Sequence, residues 1–333
     1  MNSIRLRSLP SYGRVRGLSL IELMIAMVLG LMVVGVAIGI FMSNRQTYRA
    51  TENLSRVQEN ARTAFEMMAR DMREAGGNPC VNNLPIANVL NTANWWSNLT
   101  HWDDAVRGYA ATEAFPDAAF GTGAGSRISG TDAIQLISGD DSVATISAHN
   151  TGGAQFTLNT ATSGFSTGDL LMACNSRQAS IFRASAVAGN TVGHAAGGGN
   201  CTSALGLGVP TNCAGRKVFE FAAPNSVMVR LHSTRWYIAN NARGISSLYQ
   251  SRLAGNGVQN QEVAEGVTNM QVTYLMRGGT SYQTAAQVAA TANGWANVIA
   301  ARIQLTLQGQ ENANDSITTR QLIHVASLRN RNA

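Results

Sequence analysis

Residues Leu18–Met42 read LSLIELMIAMVLGLMVVGVAIGIFM, and across these 25 residues the only ionisable side chain is Glu22. As a helix the stretch is roughly 37 Å long, more than the roughly 30 Å of hydrocarbon in a bilayer. A helix apolar on every side would need a much larger soluble protein around it to be buried, so the stretch is read as a membrane segment. The residues ahead of it include Arg5, Arg7, Arg14 and Arg16 and no acid. That places them on the cytoplasmic side, with a modest bias because Arg45 and Arg49 follow on the far flank. The apolar run ends in FMSNRQTYR, which contains no small-residue cleavage site, so the segment is expected to be retained.

From Ser43 to Ala75 the chain has no Pro or Gly, and apolar residues recur at Tyr48, Leu54, Val57, Ala61, Phe65, Met68 and Met72. Steps of three and four, with Thr51 in the one longer gap, predict an amphipathic continuation of the same helix. Glu52/Arg56 and Glu66/Arg70 are spaced as i,i+4 ion pairs. Gly76-Gly77-Asn78-Pro79 supplies the stop. Gly30, Gly35 and Gly39 weaken the helix inside the membrane by about 1 kcal/mol each relative to Ala. Gly35-x-x-x-Gly39 is the spacing of a close-packing helix face.

Beyond Pro79 short β-rich runs alternate with Gly, Asn, Ser and Asp. Ala133–Ile137, Val143–Ser147, Gln155–Asn159, Asp169–Ala173, Ala179–Ala184, Val227–Leu231, Trp236–Ile238, Gln271–Leu275, Ala301–Leu307 and Gln321–Val325 read as strands of a largely antiparallel sheet. The fold class is therefore α+β, a long N-terminal helix packed by its second half on a β-rich domain. Ala195–Arg216, rich in Gly, reads as the loosest loop.

Cys80, Cys174, Cys201 and Cys213 all follow the membrane segment, an even number suited to an oxidising compartment. Three pairings are open. Local closure favours Cys201–Cys213, which leaves Cys80–Cys174 to tie the helix exit to the sheet. No C-x-x-C or paired-His spacing points to a metal, and none of the five histidines stands in a catalytic motif. No cofactor or enzyme activity is expected. Asp140-Asp141 reads as a solvated turn. Trp95, Trp96 and Trp102 read as a small core under a long loop, with an interface as the alternative. The formal charge of +6 falls to +2 once the first four arginines are set aside, and no basic stripe remains to hold nucleic acid.

Arg16-Gly17-Leu18-Ser19-Leu20-Ile21-Glu22 and the apolar run after it resemble the class III signal of type IV prepilins, with Leu18 and Ser19 where Phe and Thr are commonest. The resemblance implies that a prepilin peptidase cuts between Gly17 and Leu18, that Leu18 becomes N-methylated, and that Glu22 is the pilin glutamate. A carboxylate near a bilayer core costs about 2.5–3.5 kcal/mol. Glu22 therefore either lies close enough to the headgroups to stay hydrated or pairs with a positive α-amino group, such as the one that cleavage creates on Leu18.

Downstream, Ala69–Gly76, Gly130-Thr131-Asp132, Glu262–Tyr274, Trp295–Ile303 and Leu328-Arg329-Asn330 resemble minor pilins of the PilW type. The resemblance implies a pilin lollipop with residues 1–17 as leader, 18–42 as the membrane and filament-core helix, 43–76 as its amphipathic continuation and 77–333 as the globular domain. That domain would lie in the periplasm while the helix sits in inner-membrane lipid, and later on the pilus at the cell surface. It implies a low-abundance subunit that helps start the filament. Its partners would be other minor pilins, the major pilin, the prepilin peptidase and the inner-membrane assembly platform, and such a complex can carry a tip adhesin. A minor pseudopilin of type II secretion shares the leader and the glutamate, though such proteins are usually smaller. A membrane-anchored periplasmic adhesin or binding protein is the alternative from another class.

Gly17→Val is expected to leave the leader attached while membrane insertion continues. N-terminal sequencing of the wild-type chain should begin at Leu18, and a start beyond Met42 would mean an ordinary secreted protein.

Overall fold

The computed structural model describes residues 17–80, 84–91, 94–96, 99, 105–161, 164–209, 212–254, 257–308 and 319–331. The leader arginines, Trp102 and the side chain of Leu54 lie outside the described residues. The chain divides into two units, Met1–Glu52 and Asn53–Ala333. Helix α1 runs Leu20–Glu74, one residue short of the expected end.

In the first unit α1 passes Gly30, Gly35 and Gly39 as regular helix. Tyr48, expected on the buried stripe, is 70% exposed. The stripe becomes real in the second unit. Ala61, Ala64, Phe65, Met68, Ala69, Met72 and Ala75 are all buried, at the steps of three and four that put them on one face.

Two sheets receive that face. The larger contains β1 (Ile86–Asn88), β2 (Val106–Tyr109), β3 (Ala133–Asn150), β4 (Gln155–Leu158), β5 (Leu170–Cys174), β6 (Ala179–Arg183), β7 (Ala186–Ala188), β8 (Thr191–Gly193), β9 (Val227–Asn240), β10 (Ser246–Ala254) and β11 (Gly257–Glu265). Its spine is the long antiparallel pair β3–β9, registered from Ile134↔Trp236 to Thr145↔Val227. On the far side of β9, β5 pairs with its first part and β10 with its second. On the far side of β3, β2 and β4 divide the edge in the same way. The smaller sheet is ordered β13 (Tyr282–Thr284), β12 (Val267–Met276), β14 (Val298–Gln308) and β15 (Thr319–Ser327). A short helix, α2 (Ala285–Ala290), follows β13 behind a Thr284/Gln287 capping box. Among the described residues only β1–β6 is parallel. The helix stripe, Ile134 and Leu136 of β3, Trp236 and Ile238 of β9, and Val272, Ile303, Leu305 and Leu307 of the smaller sheet form one core.

Several expectations change. Ala133–Ile137 and Val143–Ser147 are one strand, and so are Val227–Leu231 and Trp236–Ile238. Asp140-Asp141 is not a turn but lies in β3, where the register with β9 shifts between Gly139 and Val143. A bulge there lets the strand bend without ending. The hairpin β10–β11 was not expected, because most of β11 is exposed and polar and shows no alternation.

Both cysteine pairs of the local-closure reading are present. Cys80–Cys174 has a Cα separation of 6.2 Å and Cys201–Cys213 one of 5.9 Å. The first closes a span of 94 residues, for which chain entropy gives roughly 4–5 kcal/mol. The Gly-rich segment is tied down as well. Asn200 is buried, accepting from the Arg183 amide at 2.7 Å and donating to the Arg183 carbonyl at 2.7 Å. The Leu205 carbonyl accepts from Gln178 and Ser180.

A second core holds His149, stacked on Phe156, with His194 beside it. The Phe221 amide donates to His149 Nδ1 at 3.1 Å, so His149 carries its proton on Nε2 and donates it to His194 Nε2 at 3.0 Å. Burial lowers both imidazoles from 6.5 to about 4, and for His149 the neighbouring ring adds to it. Between pH 6.5 and 4 the unfolded chain therefore binds protons that the folded chain refuses, and stability is lost as pH falls through that window. The thermal midpoint of the chain in detergent should fall from pH 7 to pH 5, with the NMR signals of both rings still neutral at pH 5. Titration of either ring near pH 6.5 would contradict the assignment.

Candidate functional site

Gly17, Leu18 and Ser19 precede α1 and are exposed. Ser19 is the N-cap: its Oγ accepts from the Glu22 amide at 3.2 Å and its carbonyl from the Leu23 amide at 3.1 Å. Ser19-x-x-Glu22 is the spacing of a capping box, and it puts the Glu22 carboxylate in the first turn, where the helix dipole favours it. That role is legible in the sequence from the Ser19-x-x-Glu22 spacing alone. Of the residues expected to act together, the structure brings Leu18, Ser19 and Glu22 to one helix end, whereas the four cysteines belong to the second unit.

The segment Leu20–Arg49 spans 30 residues, and its most apolar 18-residue stretch has mean hydropathy 2.8 and none of it is buried. Leu18 is 72% exposed and Phe41 67%. An apolar surface of that size needs lipid or other helices over it. A Cβ placed on Gly17, Gly30, Gly35 or Gly39 would meet nothing within 4 Å. Among the described residues no contact requires glycine at those positions, and three of them weaken a helix. Glycines so placed leave room for the close approach of another helix.

In the second unit the other half of α1 is held by a clamp of polar contacts. Asp71 stands beside the apolar face, half-buried between Met68 and Met72, and its Oδ2 accepts from Trp236 Nε1 at 2.8 Å and Gln250 Nε2 at 3.1 Å. Desolvation raises its pKa, and the two hydrogen bonds oppose that rise. At the helix end Asn330 Nδ2 lies 3.2–3.4 Å from the carbonyls of Arg73, Glu74 and Ala75, groups left over when a helix stops. Gly76 has φ +72° and donates to the Ile137 carbonyl at 2.9 Å. The next carbonyl, of Gly77, accepts from Gly139 at 2.8 Å. A Cβ on Gly77 would lie 2.8 Å from both Asn330 Nδ2 and the Glu74 carbonyl, so the exit admits only glycine without a shift. Lower on the helix, a Cβ on Gly266 would come within 3.1 Å of Val57.

The other quoted blocks serve the same region. Asp132 accepts from the Val272 amide at 2.9 Å, linking the start of β3 to β12. Arg127, buried and pushed down to about 10 by desolvation, donates to the carbonyls of Glu113, Ala110 and Thr131 and so fixes the loop ahead of Asp132. Leu328 is fully buried in the helix core. Of the expected helix pairs, Arg70 turns to Glu74 at 2.8 Å instead of to Glu66. Trp95 is buried with the Arg235 guanidinium 4.3 Å from its ring, as a small core requires. Among the described residues no three His, Cys, Asp or Glu side chains converge on a metal position.

Comparison with known families separates the same two parts. Residues 13–38 match the prokaryotic N-terminal methylation motif, and residues 235–329 match the family described as type IV pilus-assembly protein W. No curated protein and no solved structure matches significantly. The two matches relate the chain to pilin-like proteins of the type IV pilus, and its apolar N-terminal helix is long enough to cross a membrane. Both matched models describe structural families. The PilW match begins one residue before Trp236 and takes in Gln250, Gly266 and β12 to β15, so it includes both donors to Asp71 and stops one residue short of Asn330.

Asp71→Ala leaves two buried donors without an acceptor and should cost about 2 kcal/mol, read as a thermal midpoint lower by a few degrees. Asp71→Asn keeps one acceptor and removes a desolvated charge, and should melt much closer to the wild type. Equal losses in the two variants would contradict the clamp.

Proposed function

We propose that the chain is a minor pilin of the type IV pilus that helps to initiate filament assembly within a priming complex at the pilus tip. The observation that carries this reading is the uncovered apolar helix Leu20–Arg49, which holds its one carboxylate, Glu22, in the first turn. A simple anchor needs apolar length only. It needs no carboxylate at a fixed distance from a cleavage glycine, and no glycines that its own fold does not use.

In this account the leader is removed after Gly17, Leu18 is methylated, and the helix waits in inner-membrane lipid with the globular domain in the periplasm. On assembly, lipid is exchanged for the helices of the major pilin and other minor pilins. Glu22 then meets the positive α-amino group of a neighbouring subunit in a low-dielectric core, where an unpaired charge of either sign is costly. The disulfides suit a domain that ends on the cell surface, and the PilW match favours the pilus over a secretion pseudopilin. Support for adhesion and twitching would follow from the filament and needs no catalytic group here.

Glu22→Leu separates the two roles. If the carboxylate is merely tolerated, its removal is neutral or improves insertion. If it pairs across subunits, cleavage after Gly17 and membrane level stay near normal while piliation and co-purification with other pilins fall sharply, and Glu22→Asp is intermediate. Full piliation by a Glu22→Leu strain that lacks any other copy would refute the pairing.

A further inference from the structure

The second unit contains a groove of about 690 Å³ between α1 and β15 that the helix clamp does not use. Its helix wall is one stripe, Arg62, Glu66, Ala69 and Arg73, at steps of four, three and four. Its other wall is the inner face of β15, where Arg320 and His324 flank Leu322. Phe65 lies between the walls, its ring 5.8 Å from that of His324. Three arginines against one glutamate make the groove positive around an apolar middle.

One side of β15 is also unused. The strand pairs with β14 from Ala300↔Ser327 to Gln308↔Thr319, and among the described residues no strand pairs with its other side. Nine residues of open edge are long for a folded protein, and this edge has neither proline nor lysine to block it. On its outer face Ile323 is 60% exposed and Val325 50%.

We infer that the groove binds an extended acidic segment of a partner protein, which adds to the free edge of β15 as a further strand. The backbone of such a segment pairs with the open N–H and C=O groups of β15, and its side chains alternate between the two faces of the sheet. On the inner face the arginines select carboxylates and the apolar middle selects an aliphatic residue. Arg62 and Arg73 are three helical turns apart, about 16 Å, and acids at i and i+4 of a strand lie on one face about 13 Å apart, within reach of two long arginine side chains. The motif is therefore acid–x–aliphatic–x–acid. The intervening residues lie beside Ile323 and Val325, where β-branched side chains fit. Strand addition there asks nothing of the membrane helix and holds whatever place the chain takes in a pilus.

The test uses the full chain in detergent micelles and three fluorescein-labelled peptides. These are Thr-Glu-Val-Leu-Val-Glu-Thr, its Lys-for-Glu counterpart, and the acidic peptide with Pro in place of Leu. Fluorescence anisotropy should give saturable micromolar binding of the acidic peptide and none of the other two. The surface variant Arg62→Glu/Arg320→Glu, checked to melt with the wild type, should weaken that binding by about tenfold or more. Equal binding of the basic peptide, no saturable binding of the acidic one, or unchanged binding to the double variant would overturn the proposal. A concentration-dependent dimer abolished by the double variant would also overturn it, since the occupant would then be a second copy of the chain.

Discussion

The helix from Leu20 to Met42, apolar around its surface and uncovered among the described residues, constrains this protein more than any other feature. At about 25 cal/mol per Å² of apolar area, that surface cannot remain in water, and among the described residues no second helix is long and apolar enough to pair with it. Its cover must be lipid, neighbouring helices, or one after the other. The unusual residues along it make sense only from outside. At Gly30, Gly35 and Gly39 an added Cβ would meet none of the described residues, and Glu22 is the one charge between Leu18 and Met42.

The globular part answers a different requirement, which is to hold the helix end firmly. Apolar burial alone would let a smooth stripe of Ala and Met slide or turn between the two sheets. Directional contacts prevent this. Asp71 is fixed by Trp236 and Gln250 on the larger sheet, and the last carbonyls are capped by Asn330, which follows the smaller one. Gly76 and Gly77 then pass the chain directly onto β3. The residues with this task are scattered from Asp71 to Asn330, so no single stretch of the sequence carries it.

Much of the layout was legible because it follows from local pattern. The 3.6-residue period found the buried stripe from Val57 to Met72, and the Gly-Gly-Asn-Pro stop found its end to within one residue. The spacing of four cysteines was enough to favour the observed pairing. What escaped depended on partners distant in sequence. The hairpin Ser246–Glu265 is a strand pair whose outer member is polar and exposed over most of its length, so no alternation marks it. The bulge at Asp140 looks like a turn until β9 is seen to continue across it. Asp71 carried a signal that could have been used, since a lone carboxylate among Met68, Met72 and Ala75 must have a buried donor, but only the fold reveals Trp236. The positive groove beside β15 joins two segments some 250 residues apart and has no signature in either.

The account turns on whether the exposed helix is covered by other subunits in the living cell. The direct measurement places a photo-reactive amino acid at Val36, beside Gly35, and cross-links piliated cells. Covalent adducts with the N-terminal helices of other pilins are the expected result. Adducts with lipid alone, in cells that bear pili and process the protein normally, would contradict the account and leave the helix as an anchor only.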